Sequence, residues 1–225
     1  MTKTYFITGT DTEVGKTFVT RLMVKTLVKA GYKVAGLKPI ASDSRSGVLD
    51  GYQGLINGDA KQLLEASNIP LNYPQVNPLV FSEPIAPHIA AEQSGINLTV
   101  QSLSASVTIP DADIVLVEGA GGWLTPLNQT ETYADWVAQE SMDVIMVVGM
   151  KLGCLNHAQL TAQAIKAKGL KLIGWVANPL SPDMDAYQQN LEWLKQNLMA
   201  PLLAEVSYQQ QDSNFKPQSI VSKLA

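Results

Sequence analysis

The segment that most constrains this chain is a glycine-bounded loop that directly follows an apolar run at residues 5–8. Residues 9–17 read GTDTEVGKT, and an amphipathic stretch with helical spacing comes after them. A strand, such a loop and a helix in this order form a phosphate-binding unit. The glycines let backbone N–H groups point at phosphate oxygens, Lys16 supplies a cation and the Thr17 hydroxyl can ligate Mg²⁺. The segment therefore predicts binding of a nucleoside triphosphate.

The spacing of this loop departs from the usual pattern. Gly9 and Gly15 enclose five residues, whereas the common motif has four between its glycines. Gly15-Lys16-Thr17 alone could also be a flexible turn ahead of a helix. The strand before it and the helix after it favour the phosphate loop, and the positive end of that helix points to the same place.

Composition excludes several classes of protein. A chain of 225 residues is consistent with a single domain over 1–225 that buries roughly 70–75% of its unfolded surface. Sixteen Lys and Arg against twenty Asp and Glu give a charge of −4 without a basic run, so we expect no nucleic-acid partner. There is no apolar stretch of the roughly 18 residues that a membrane span needs, and Cys154, the single cysteine, excludes an internal disulfide. We expect a cytoplasmic protein that binds no membrane.

Strand and helix patterns alternate along the chain. The apolar runs are continuous, which suits parallel strands covered on both faces. The spacing predicts helices over 15–30, 59–67, 155–168 and 183–198, and strands over 4–9, 33–38, 113–118, 143–148, 171–177 and 202–206. We expect a loop over 43–58, mostly extended or irregular chain over 68–87, and a polar, mobile tail over about 208–225.

This alternation predicts an α/β fold with a doubly wound, mainly parallel sheet in a three-layer α/β/α arrangement, like that of phosphate-loop NTPases. Ligands of such sheets bind at the carboxyl ends of the strands. Attention therefore falls on the residues that directly follow each predicted strand.

Four polar side chains follow strands or begin a helix near that edge. Lys38 is either a solvated surface lysine or a second cation for a transferring phosphoryl group, and Ser42 either donates a hydrogen bond there or completes a turn. Glu118, followed by Gly119, fits the carboxylate that helps to hold Mg²⁺, or an exposed acid before a flexible loop. Asp59 is a good N-cap for the following helix, and the residues alone favour that role over a metal ligand.

The segment 151–157 runs from a buried strand into a helix. N–H groups at that helix start could receive an anion such as a carboxylate. Cys154 and His157 could suggest a nucleophile and a base, but no acidic residue completes a triad, and a buried thiol beside a histidine is the favoured interpretation. His88 is also interpreted as structural.

Taken together, the segments 9–17, 38–42, 117–122, 148–157 and 174–178 resemble those of the dethiobiotin synthetases, and they span nearly the whole chain. The resemblance implies an ATP- and Mg²⁺-dependent ligase. Its substrates would be 7,8-diaminononanoate and CO₂, and its products dethiobiotin, ADP and phosphate. The reaction would pass through a carbamate and a carbamic–phosphoric anhydride.

The resemblance also implies residue roles. Charge stabilisation at the reacting phosphate falls to Lys16 and Lys38. Substrate contacts are implied for Thr12, Ser42, Gly153, Cys154, Leu155 and Asn156, the last four from the other subunit of a homodimer. The Mg²⁺ ligands are Thr17, Asp59 and Glu118, so the family raises Asp59 from a cap to a ligand. ATP contacts are implied for Glu13, Val14, Gly15, Lys16, Thr17, Phe18, Asp59, Glu118, Gly119, Ala120, Gly121, Asn178, Pro179, Ser207, Tyr208 and Gln209.

The chain departs from the family pattern in two places. Val206-Ser207-Tyr208 stands where family members often have Ile-Pro, and Pro179 stands where an aspartate is common. Both departures affect contacts with the nucleotide base rather than the chemistry.

Two other functions fit the phosphate loop. One is a regulatory ATPase of the partitioning and cell-division type, which usually carries a second lysine inside the loop; residues 10–14 contain none. The other is an amidotransferase or ligase domain that acts on a different amine or carboxylate.

Overall fold

The computed structural model describes residues 2–208 and 219–225 and contains a six-stranded sheet in which all strands run parallel. The order across this sheet is β10-β9-β8-β1-β7-β2. Its strands are β1 (Lys3–Gly9), β2 (Val34–Leu37), β7 (Ile114–Glu118), β8 (Asp143–Met150), β9 (Leu172–Pro179) and β10 (Leu202–Glu205). A short parallel pair joins β3 (Ile40–Ala41) and β6 (Leu79–Val80), and a hairpin joins β4 (Arg45–Leu49) and β5 (Tyr52–Ile56).

Helices cover both faces of the sheet, which confirms the predicted three-layer α/β fold. Side chains alternate along β1: Phe6 packs on one face, while Tyr5 and Ile7 pack on the other with α1 and α9. The helices are α1 (Lys16–Lys29), α2 (Gly58–Ala66), α3 (Tyr73–Val76), α4 (Pro87–Gln93), α5 (Val100–Ser106), α6 (Tyr133–Gln139), α7 (Cys154–Ala167), α8 (Tyr187–Asn197) and α9 (Ile220–Leu224).

Strand β1 lies between β7 and β8, near the middle of the sheet. The chain continues from β1 to β2 on one side and later adds β8, β9 and β10 on the other. The strand order therefore reverses at β1, and a crevice opens at the carboxyl ends of the strands beside such a reversal. The phosphate loop leaves β1 at this point.

The predicted loop over 43–58 is wrong, because residues 45–56 form the β4–β5 hairpin. Asp50 and Gly51 connect the two strands with φ values of 49° and 82°. An Asp-Gly pair with positive φ at both residues is the turn that best matches the twist of a two-residue hairpin. The Asp-Gly dipeptide was the sequence signal for this hairpin. The polar composition around it hid the alternation of side chains along the two strands.

The expectation of a mobile tail is also wrong where the structure describes that region. Residues 220–224 form α9, in which Ile220 and Leu224 are fully buried against α1 and β10. The Tyr5 hydroxyl donates a hydrogen bond to the Leu224 carbonyl over 3.0 Å. The few apolar residues near the end of the chain therefore complete one face of the core, and residues 209–218 lie outside the described part.

Other differences concern short or shifted elements. Helices α3, α5 and α6 lie in regions without a helix prediction, and α8 begins at Tyr187 rather than at 183. Ala186 caps α8 in the left-handed region, with φ 54°. Helices of four to seven residues are too short for a convincing 3.6-residue periodicity, since their caps and tertiary packing stabilise them.

Asn57, not Asp59, is the N-cap of α2. Its side-chain oxygen accepts hydrogen bonds from the backbone N–H groups of Asp59 and Ala60, at 3.0 and 3.1 Å. Its amide nitrogen donates to the Ser42 carbonyl over 2.8 Å. The prediction of Asp59 as the cap is therefore wrong by two residues, and the Asp59 carboxylate is free to point elsewhere.

Replacing Asn57 tests this cap. Asn57→Ala removes both the acceptor and the donor, so we expect the free energy of unfolding to fall by about 1–2 kcal/mol. Asn57→Asp keeps the acceptor oxygen and should lose less. Urea denaturation followed by circular dichroism measures both variants. Equal stability of wild type and Asn57→Ala would contradict the assignment of the cap.

Candidate functional site

The phosphate loop has the backbone conformation that its sequence predicts. Glu13 and Gly15 have φ values of 58° and 82°, and α1 begins directly afterwards at Lys16. Val14 is fully buried and packs against Gly149 at the end of β8. The Asn178 amide donates to the Val14 carbonyl over 2.8 Å, which ties the loop to the end of β9.

Lys16 lies inside the curve of this loop. Its ammonium group is largely buried and donates a long hydrogen bond of 3.4 Å to the Asp11 carbonyl. Burial, together with the nearby Lys38 ammonium, lowers the pKa of Lys16 to about 8, against the opposing effect of Glu118 and Asp59. A largely buried cation whose own hydrogen bond is this long is suited to receive phosphate oxygens.

Asp11 stabilises the same loop through an ion pair and a hydrogen bond. Its carboxylate pairs with the Lys151 ammonium over 2.9 Å and accepts a hydrogen bond from the Thr12 N–H over 2.8 Å. The Lys151 hydrogen bond and the Thr12 N–H lower the pKa of Asp11. Because Lys151 follows β8, this pair links the phosphate loop to the segment that leads into α7.

A cluster of four side chains lies at the carboxyl ends of β1, β2 and β7. One oxygen of the fully buried Glu118 accepts hydrogen bonds from the Thr17 hydroxyl and from the Lys38 ammonium, both over 2.7 Å. The same ammonium lies 3.6 Å from an Asp59 carboxylate oxygen. Burial alone would lower the pKa of Lys38, but the two carboxylates outweigh it and raise that pKa. Lys38 is therefore a buried cation and not a surface lysine.

A layer of uncharged polar groups holds Lys38 in place. The backbone N–H of Lys38 donates to the Val76 carbonyl over 2.8 Å, and the backbone carbonyl of Lys38 accepts from the Asn77 side-chain amide over 2.7 Å. The Tyr73 hydroxyl donates to Asn77 over 2.9 Å and accepts from the Asn57 N–H over 2.6 Å. This chain of hydrogen bonds connects the backbone at Lys38 to the start of α2, where Asp59 lies.

The donor set fits a magnesium ion. Mg²⁺ prefers oxygen ligands, and in nucleotide sites it takes one or two from carboxylates and the others from phosphates and water. Glu118, Asp59 and the Thr17 hydroxyl offer such oxygens, and the second oxygen of Glu118 is buried without a hydrogen-bond partner among the described residues. Within the described part of the chain, no three His, Cys, Asp or Glu side chains form a group that could hold a metal ion by themselves.

These groups open into a cavity of about 890 Å³. The cavity brings together most of the predicted site residues, including Thr12 and Ser42. The Ser42 hydroxyl is buried without a hydrogen-bond partner among the residues described. The predicted residues that line it are Thr12, Glu13, Gly15, Lys16, Thr17, Phe18, Lys38, Ser42, Asp59, Glu118, Ala120 and Gly121. Gly119 lies just behind this wall, where a Cβ would come within 2.6 Å of the Phe6 ring.

The residues predicted to contact the nucleotide base lie at a different cavity. Pro179, Ser207 and Tyr208 line a separate cavity of about 260 Å³ at the ends of β9 and β10. Asn178 lies beside it and is largely buried, with its amide committed to Val14. Gln209 lies outside the described residues.

The predicted carboxylate-binding residues are not part of either cavity. Gly153 adopts φ 93° and begins α7, in which Cys154 is buried, Leu155 is partly buried and Asn156 is exposed. Burial raises the pKa of the Cys154 thiol, which agrees with a structural cysteine. Within one chain, none of these four residues lines the cavity that contains the Lys38 cluster.

Sequence reasoning missed one wall of the main cavity. Residues 84–87, together with Ala41 and Thr125, present apolar and small groups opposite the phosphate loop. The prolines of this segment indicated only irregular chain. Asn77 and Tyr73 were missed because their role depends on contacts with residues distant in the sequence.

Comparison with known proteins agrees with this geometry. A family model described as an AAA domain matches residues 3–215. The chain is 48% identical over 210 residues to an ATP-dependent dethiobiotin synthetase of Escherichia coli, which covers 92% of both chains. It is 44% identical over 223 residues to the enzyme of the same name from Photobacterium profundum, covering 98% of this chain and all of the other.

Solved structures show a similar fold at low identity. The septum site-determining protein MinD of Pyrococcus horikoshii, complexed with Mg-ADP, matches with a TM-score of 0.56 and 17% identity, over 100% of this chain and 93% of that one. Chloroplast FtsY of Physcomitrella patens matches with a TM-score of 0.53 and 16% identity, over 100% and 65%. These structures confirm the phosphate-loop fold, and the sequence relatives identify the branch within it. The chain belongs to the family of ATP-dependent dethiobiotin synthetases.

Proposed function

We propose that this protein converts 7,8-diaminononanoate, CO₂ and ATP to dethiobiotin, ADP and phosphate, with Mg²⁺ as its metal. The observation that carries the proposal is the meeting of Lys16, Lys38, Glu118 and Asp59 at one wall of the large cavity. Two cations beside the carboxylates of a metal site are what transfer of a phosphoryl group to an anionic acceptor needs. The sequence relatives carry this activity in their names.

The proposed chemistry proceeds in three steps. One amine of the substrate adds to CO₂ and loses a proton, which gives a carbamate. A carbamate oxygen attacks the γ-phosphorus of ATP and ADP leaves, which gives a mixed anhydride. The second amine then attacks the carbonyl carbon, phosphate leaves with the bonding electron pair, and the loss of a proton completes the five-membered cyclic urea.

The side chains of the site fit these steps. Lys16 and the N–H groups of the loop hold the β- and γ-phosphates, while Lys38 neutralises charge shared by the γ-phosphate and the carbamate. Thr17, Asp59 and Glu118 would hold Mg²⁺, which would supply neutralisation of phosphate charge when bound. Thr12 and Ser42 offer hydroxyl groups beside the carbamate.

The nucleotide extends from this cluster across the loop towards the second cavity. We propose that Asn178, Pro179, Ser207 and Tyr208 line the site of the base there. The hydrogen bond between Asn178 and Val14 couples this site to the phosphate loop.

We also propose that residues 1–225 form a single domain and that the protein is cytoplasmic. Among its described residues, no helix is long and apolar enough to cross a bilayer.

The substrate site is proposed to be completed by a second copy of the chain. Leu152 is 98% exposed and Leu160 is 57% exposed, on the same turn and helix as the predicted carboxylate-binding segment 153–156. Two largely exposed leucines on this turn and helix support a surface that a partner covers. In a homodimer, the N–H groups at the start of α7 of one subunit would receive the substrate carboxylate in the site of the other.

The first test is the reaction itself. Purified protein given ATP, Mg²⁺, bicarbonate and 7,8-diaminononanoate is expected to form dethiobiotin, with ADP release that depends on the diamine. Mass spectrometry of the product and a coupled ADP assay measure the two quantities. ATP turnover that proceeds equally without the diamine would instead favour a regulatory ATPase.

The second test removes the buried cation. Lys38→Ala is expected to bind the nucleotide but to lose turnover roughly 100- to 1,000-fold, since one preorganised charge at the reacting group is worth about that much. Lys29→Ala changes an exposed lysine at the end of α1 and serves as the control. Steady-state kinetics and nucleotide titration measure the variants, and unchanged turnover would remove Lys38 from the mechanism.

The third test asks whether sites are shared between subunits. Lys38→Ala and Asn156→Asp are each expected to have little activity, the second because a new carboxylate would repel that of the substrate. If the two variants are mixed and allowed to exchange subunits, random pairing in a twofold dimer should restore about a quarter of the wild-type activity. A mixture that stays as inactive as its components would contradict a site completed by the partner.

A further inference from the structure

The Lys38 ammonium lies where it competes with a metal for the same oxygens. It donates to Glu118 over 2.7 Å and lies 3.6 Å from Asp59, the two carboxylates proposed above as metal ligands. The Thr17 hydroxyl donates to the same Glu118 oxygen. Lys38 therefore already occupies one oxygen of the proposed metal-ligand set and lies close to a second.

The charges of this cluster balance without a metal. Two ammonium groups, Lys16 and Lys38, stand against two carboxylates, Glu118 and Asp59. A free divalent cation that entered would bring two more positive charges close to both lysines in a buried setting, where such repulsion is strong. An ion that took the Glu118 oxygen held by Lys38 would also leave that buried ammonium without its closest anion, which is costly.

A nucleotide removes this obstacle. The oxygens of its terminal phosphates offer Lys38 another anion on the cavity side, so the ammonium can leave Glu118 without losing compensation. The freed carboxylate oxygens can then take the metal that accompanies the nucleotide. The unpartnered second oxygen of Glu118 gives the arriving ion a first point of attachment.

We propose that Lys38 is a built-in counter-cation that keeps divalent metal out of this site until a nucleotide arrives. The inference rests on the metal ligands proposed above and adds a role for Lys38 before the reaction begins. Exchange of its anion from Glu118 to phosphate would bring the ammonium to the reacting group only when metal and nucleotide are both present. The protein thereby avoids a metal-loaded state without nucleotide.

The test is the affinity of the nucleotide-free protein for Mn²⁺, measured by electron paramagnetic resonance titration. Wild-type protein should bind Mn²⁺ weakly, and Lys38→Ala should bind it at least tenfold more tightly, because both carboxylates lose their counter-cation. Lys61→Ala, which removes an exposed lysine two residues after Asp59 that pairs with Glu65, should match wild type. Lys38→Ala combined with Glu118→Gln should lose the gain.

A second variant and a second measurement guard against misfolding. Lys38→Gln keeps a hydrogen-bond donor for Glu118 but removes the charge, and it should also gain affinity for Mn²⁺. In wild type, saturation with a non-hydrolysable ATP analogue, which carries the γ-phosphate that ADP lacks, should raise the affinity for Mn²⁺ at least tenfold and by more than ADP does. Mn²⁺ affinities of the Lys38 variants equal to wild type, or no effect of the ATP analogue on wild type, would overturn the proposal.

The same titration separates this inference from the metal assignment. Glu118→Gln should weaken Mn²⁺ binding to the ADP complex. If it does so while the Lys38 variants show no gain, the counter-cation proposal fails and the metal site stands. If Glu118→Gln binds Mn²⁺ in the ADP complex as tightly as wild type, the metal assignment itself fails and the counter-cation proposal fails with it.

Discussion

The fully buried carboxylate of Glu118 is the point on which the site depends. A buried charge is tolerated only when it is paired and hydrogen-bonded, and here its two partners come from two other parts of the chain. Thr17 lies at the start of α1, Lys38 follows β2, and Glu118 itself ends β7. Because β1, β2 and β7 are parallel and closely placed, their carboxyl ends bring these side chains together. The order of strands in the sheet therefore determines which side chains meet in the site.

The longer phosphate loop acquires a physical explanation from this arrangement. Val14 packs into the core against Gly149, and Asn178 binds its carbonyl. With that residue anchored, Thr12 and Glu13 line the cavity in addition to the residues that hold phosphate. The loop therefore contributes part of the cavity wall, which supports the proposed contact of Thr12 with the carbamate.

Much of this could be predicted from the sequence because the signals are local. The phosphate loop, the long apolar strands and the polar residues at their ends depend on neighbouring residues and on the rule that parallel strands share an edge. The buried state of Lys38 could not be decided in this way, because it depends on Asn77 and Glu118, about 40 and 80 positions away. Likewise, Asp59 looked like a cap because Asn57 and Asp59 are both good cap residues. The hydrogen bonds that the Asn57 side chain accepts from Asp59 and Ala60, and its contact with Ser42, distinguish them.

Transfer of phosphate to a carbamate is the central step of the proposed function, and oxygen isotopes test it most directly. The reaction should be started with ¹⁸O-labelled bicarbonate in unlabelled water and stopped before the label exchanges with the solvent. Since a carbamate oxygen attacks the γ-phosphorus and leaves with phosphate, one labelled oxygen is expected in the phosphate released. Phosphate without the label, formed together with dethiobiotin, would contradict the anhydride and with it the proposed role of the Lys38 cluster.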